Sequence, residues 1–200
     1  MTDARIGSVL VASLHQAIAD VLPLRADFYE HWLHTDGLHQ RGLGMAPMLA
    51  VLGFLRVEPD AYAPVVTRAG RYAASWEVDA LPALRRRLAL ALPRPLRLRA
   101  ALRVGRRLVR RVHPQSQAVV SVRRRGAHVE IRRSLFCDAR EVTSAPLCGF
   151  YAGAFERLLE LFELQAGAAV KTCRAMGASG CTLEIGGRRS SPEHETAPVT

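Results

Sequence analysis

Cysteine is the residue type best able to do chemistry in this 200-residue chain, and its four copies all fall in the final third. Cys137, Cys148, Cys173 and Cys181 are spaced C-x10-C-x24-C-x7-C. Thiolates contributed by separate elements can close a tetrahedral zinc site, provided the fold gathers them. The spacing is not that of a C-x2-C finger, and a free cysteine also serves as a small buried hydrophobe. Residue type therefore leaves a zinc centre and a set of packed thiols both standing. Cys173 and Cys181 flank Gly177-Ala178-Ser179-Gly180, so a hairpin turning there sets them on adjacent strands.

Other chemistries find less support. Hydride transfer needs a nicotinamide or flavin cradle, and the nearest approach to one, Gly42-Leu43-Gly44-Met45-Ala46, runs into Pro47. No nucleotide cofactor is expected. Neither a G-x-S-x-G elbow nor an H-E-x-x-H helix occurs. His31, His34 and His39 fall on a half-exposed helix and loop, where histidine is ordinarily a surface residue. The pattern disfavours catalysis and leaves two roles open, binding of a small molecule or scaffolding.

The elements that position the cysteines follow from periodicity. Apolar residues recur at spacings of three and four over residues 8–21, 28–38, 46–55, 60–76, 80–92 and 96–112, which predicts six helices, with Pro23, Pro93 and Pro95 as breaks. Past His113-Pro114 the period falls to near two. Residues 118–123 and 128–132 predict a hairpin around Arg125-Gly126, and 169–176 with 181–185 predict a second. Between the hairpins, residues 150–164 predict a helix with Tyr151, Phe155 and Leu158 turned inward. Apolar periodicity ends after Ile185, so one domain over 1–186 and a disordered tail over 187–200 are expected.

A composition of 49% hydrophobic and 23% charged residues excludes a wholly disordered or collagen-like chain. The net charge of +10 is not spread evenly: sixteen arginines and a single acid, Glu130, lie between residues 85 and 133. The only lysine is Lys171. Such a segment reads first as a solvated basic face, and next as a surface for an acidic protein or an anionic membrane. Sequence-specific nucleic-acid binding is disfavoured. The most apolar stretch, residues 42–55, is too short to span a bilayer and no secretory signal opens the chain. A cytoplasmic location follows as the expectation, and in that compartment thiols or metal ligands are favoured over disulfides.

The run Ala145-Pro146-Leu147-Cys148-Gly149-Phe150-Tyr151-Ala152-Gly153-Ala154-Phe155-Glu156-Arg157-Leu158, followed later by Cys173-Arg174-Ala175-Met176-Gly177-Ala178-Ser179-Gly180-Cys181, resembles the C-terminal signature of the 4-vinyl reductase domain. That family includes BchJ-like bacteriochlorophyll-pathway proteins, sensory modules of phenol- and toluene-responsive activators, and relatives of a TRAPP vesicle-tethering subunit. The likeness is good over residues 134–186 and loose upstream. It implies an α+β fold, an antiparallel sheet with helices packed on it, commonly homodimeric. It also implies a cavity for a hydrophobic, aromatic or tetrapyrrole-like ligand, for which Phe136, Phe150, Tyr151 and Phe155 are the candidate liners. In the phenol-sensing relatives zinc is held by cysteines matching Cys148, Cys173 and Cys181, with a glutamate at the position of Val170. Valine cannot ligate, so a zinc site here requires Cys137 as its fourth ligand.

Overall fold

The computed structural model describes residues 6–33, 44–58, 60–123, 126–138 and 142–186. Helix α1 (Ser8–Val21) buries Leu10, Leu14, Ala17 and Ile18 along one stripe and stops before Pro23. A 3-10 turn, Pro23–Arg25, leads into α2 (Ala26–Leu33). His34, His39 and the remainder of the expected 28–38 helix lie outside the described residues, as does the expected tail. Then come α3 (Met45–Val57), with Pro47 in its first turn, α4 (Tyr62–Asp79), α5 (Ala83–Leu90) and α6 (Arg94–Val112). Proline is tolerated in a first turn because its missing N–H would have no helical partner there.

The two hairpins form one antiparallel sheet from β1 (Gln117–Arg123), β2 (Gly126–Arg132), β3 (Gly167–Thr172) and β4 (Cys181–Gly186), in the order β1-β2-β4-β3. The fold is α+β. Period-2 alternation sends Val129 and Ile131 of β2, paired with Leu183 and Cys181 of β4, into the core, while His128 and Glu130 face outward. Residues 173–176, expected to continue a strand, instead leave the sheet as a 3-10 turn, Arg174–Met176, after a bulge between Val170 and Thr172. Gly177, at φ 84°, ends that turn in the left-handed region that glycine enters without steric cost.

Helix α7 (Gly149–Leu161) is the strut of the core, packed against α4, α6 and β3. Its approach to α4 is a backbone contact. A Cβ on Gly70 would stand 2.0 Å from the Phe150 carbonyl oxygen, and one on Gly153 would stand 2.3 Å from the Thr67 carbonyl oxygen. Both positions lie in helix interiors, where glycine is otherwise unfavourable, so the sequence spends helix propensity on proximity.

Part of the basic segment is structural. Glu77 of α4 is only 3% exposed, and its carboxylate takes Arg111 at 2.6 Å and Arg107 at 3.4 Å, both from α6. A buried carboxylate is tolerable only with such partners. Arg71 of α4 forks onto Glu160 of α7 at 2.8 and 3.2 Å, and Arg97 of α6 reaches Glu163 at 3.2 Å. By contrast α5 buries none of its residues, and its Leu84 is 69% exposed. Trp76, at the exposed edge of α4, stacks on Tyr72.

Candidate metal centre and adjoining cleft

Four different elements deliver the cysteines. Cys137 ends a 3-10 turn, Leu135–Cys137, directly after β2; Cys148 caps the start of α7; Cys173 precedes the turn after β3; and Cys181 opens β4 opposite Ile131. The segment that carries Cys148 is held at Thr143, whose N–H donates to the Ala175 carbonyl at 2.8 Å and whose hydroxyl donates to the Ala145 carbonyl at 2.8 Å. Two residues from α3 and α4 clamp the same segment. Arg56 donates to the Phe136 carbonyl at 2.9 Å and Tyr62 to the Leu147 carbonyl at 3.0 Å.

The four sulfurs meet. Cys137 Sγ lies 3.2 Å from Cys148, 3.4 Å from Cys173 and 3.3 Å from Cys181, and Cys148 Sγ lies 3.0 Å from Cys173. All four lie within 4.8 Å of one another, all are buried, and none forms a disulfide. Sulfurs placed 2.3 Å from one zinc ion stand about 3.8 Å apart at the corners of a tetrahedron, so this donor set needs little expansion to admit the metal. Contacts with the thiols of Cys137 and Cys148, and then the Arg174 backbone N–H at 3.4 Å, hold the Cys181 thiol below the ordinary thiol range. The contacts of Cys148 with Cys137 and Cys181, together with burial, push its own thiol up. Among the described residues these cysteines are the one group able to hold a metal ion. Val170 stays in the sheet opposite Leu183 and offers no ligand atom, while Cys137 touches all three other cysteines.

The expected ligand-lining aromatics close on one another instead of on an open space. Phe136 stacks on Phe150 at 4.9 Å between centroids, Tyr151 meets both edge-on, and Phe155 lies where a Cβ on Gly105 of α6 would be. An opening lies elsewhere. A cleft of about 510 Å³ sits where the start of α6, the end of β1, the start of β2, the segment after α7 and the end of β4 diverge. Leu98, Val122, Leu164 and Ile185 floor it and three arginines rim it. Among the described residues, no histidine, cysteine, methionine or tyrosine lines it.

A buried polar cluster behind the aromatics has a pH consequence. Ser116 gives its hydroxyl proton to the Arg133 carbonyl at 2.7 Å, so His113 Nδ1, 2.9 Å away, must be the donor to Ser116 Oγ. His113 is 4% exposed and its Nε2 has no partner among the described residues, and burial lowers its pKa from the ordinary 6.5. The unfolded chain therefore takes up the proton first as pH drops. His113 contributes full stability above about pH 6.5 and loses it progressively below, toward its lower folded value. Urea unfolding between about pH 7.5 and 5.5 is expected to show a steeper loss for the native chain than for His113→Asn, by less than about 1.4 kcal/mol per pH unit. Parallel slopes would show that the imidazole titrates alike in both states.

No protein-family model matches the chain, and no curated protein matches it in sequence. Solved structures do match. The Fe(II) unliganded H-NOX protein from K. algicida aligns with TM-score 0.57 at 13% identity over 92% of this chain and 98% of that one. A mutant of the same protein aligns with TM-score 0.57 at 15% identity, over 92% and 97%. The phenol-responsive sensory domain of the transcription activator PoxR, with phenol, aligns with TM-score 0.52 at 15% identity over 74% of this chain and 77% of that one. The fold is one shared with the H-NOX protein and with that sensory domain. Among the described residues, no single helix is long and apolar enough to cross a membrane.

Proposed function

We propose that this chain is a small-molecule-binding domain of the 4-vinyl reductase type, non-catalytic and homodimeric, with a zinc ion held by Cys137, Cys148, Cys173 and Cys181. The observation that carries the reading is an open, apolar-floored cleft in a fold shared with a phenol-sensing domain. Ligand pockets are ordinarily of this size and lining, apolar with a few polar groups that fix orientation. Zinc bound by four thiolates has no open position, so its chemistry here is structural: it ties β2, β4, the start of α7 and the turn after β3 into one unit. Helix α7 joins that unit to the cleft. Cys148 caps one end, Leu164 lies just beyond the other, and thirteen helical residues make a rod about 20 Å long. Phe136, Phe150, Tyr151 and Phe155 are the packing through which a ligand in the cleft displaces or stiffens that rod. The basic face of α5 and α6 is left for an acidic partner or an anionic surface.

Native mass spectrometry of the purified chain tests this in one measurement. A dimer with a retained small molecule is expected, and addition of an apolar aromatic panel should raise the melting temperature. A bare monomer that no panel member stabilises sinks the reading. Reproducible oxidation of NAD(P)H, abolished by replacing a cleft residue, would make the protein an enzyme.

A further inference from the structure

Arg94, Arg99 and Arg123 rim the cleft, and among the described residues no acidic one lines it. Among the described residues none of the three forms an ion pair. The neighbouring carboxylate, Glu163, is engaged by Arg97, whose side chain is largely buried against it. The arrangement has a local origin. Arg94 and Arg99 come from the first two turns of α6, ahead of the stretch that packs on the sheet, and Arg123 ends β1. At that end the inner face of β1 is uncovered, which leaves Val122 46% exposed on the cleft floor. Three guanidinium groups around an apolar hollow repel one another and raise the local concentration of anions. The species that relieves both the repulsion and the exposed floor has an apolar body and an anionic end.

We propose that the cleft selects a carboxylate-bearing apolar molecule, its body against Leu98, Val122 and Ile185 and its carboxylate among Arg94, Arg99 and Arg123. The inference deepens the small-molecule reading above and rests on it. It separates this chain from a sensor of a neutral phenol, because the planar guanidinium fork matches a carboxylate's two oxygens.

Calorimetric titration of the full chain with decanoate and with decan-1-ol, each kept below the concentration at which it self-associates, tests it. Decanoate is expected to bind about tenfold more tightly than the alcohol, with a preference that shrinks as salt rises. In the double variant Arg99→Gln, Arg123→Gln, decanoate affinity should fall about tenfold while the alcohol changes by less than about twofold. Both arginines are exposed, so the melting curve should be unchanged. Ala166→Phe, which fills the floor, should weaken both probes. Equal affinity for alcohol and carboxylate overturns the anion preference and leaves the small-molecule reading intact. Undiminished decanoate binding by the double variant overturns it too, as does failure of decanoate to bind. The retained-ligand spectrum then decides separately whether the broader reading falls.

Discussion

Protein purified without chelator is expected to carry about one zinc ion per chain, and Cys137→Ala to lose it along with roughly 4 kcal/mol of stability, or about 10 °C of melting temperature. Cys137 is the informative position because it touches Cys148, Cys173 and Cys181 at 3.2 to 3.4 Å. Were it only a packed thiol, truncation would remove one small buried group and cost about 1 kcal/mol. As a metal ligand its loss releases the ion, because binding free energy of a structural metal is folding free energy. Chelation of the native chain should destabilise it by a comparable amount. Elemental analysis gives the opposing outcome: below about 0.2 zinc per chain, with four thiols titratable under native conditions, the cluster is ordinary core.

The second large effect is expected at Gly153. Its Cβ would approach the Thr67 carbonyl oxygen to 2.3 Å, and backbone on both sides cannot give way as a flexible side chain could. Alanine gains about 1 kcal/mol of helix propensity there, but forcing α4 and α7 apart costs about 3 kcal/mol or more. A net loss of at least about 2 kcal/mol in chemical unfolding is therefore expected for Gly153→Ala, and likewise for Gly70→Ala. Gly53 in α3 supplies the control. Nothing lies within 4 Å of its Cβ position, so Gly53→Ala should be neutral or stabilising by up to about 1 kcal/mol. The same loss at all three positions would remove the close-approach argument.

Elements with a clear period were legible from residues alone. Of the stripe Leu98, Leu102, Gly105, Val109 and Val112 of α6, all but Leu98, which lines the cleft, are buried as the spacing predicts, and β2 alternates as its pattern does. The hairpin was enough to bring Cys173 and Cys181 near each other. Cys148 joined them through a resemblance, and Cys137 only through a requirement for a fourth ligand. Arg56 and Tyr62 were not legible as clamps on the cysteine-bearing segment. Each acts across 80 or more residues through a backbone carbonyl, and that leaves no trace in local spacing. Glu77 misleads for a related reason: a charge on an amphipathic helix reads as solvated, yet here two arginines from α6 close over it. The aromatics show the limit of residue type. Burial of Phe136, Phe150, Tyr151 and Phe155 was readable, but whether a ring or a ligand does the burying depends on packing that only tertiary structure specifies.

The strand order has a consequence for how the chain reaches its folded state. β4 is the last described strand in sequence, yet it lies between β2 and β3. Until it arrives, β1 and β2 can pair only as a two-stranded ribbon, marginal in water, and β3 has no neighbour to bond with. β2 then presents an unpaired edge with Val129 and Ile131 uncovered, a template for another chain. Closing the gap requires pairings across some fifty residues, the kind of long-range contact that slows folding. Cys181 opens that late strand, so the insertion that zips the sheet also completes the sulfur set; with the zinc proposed above, metal capture would mark the final step of assembly.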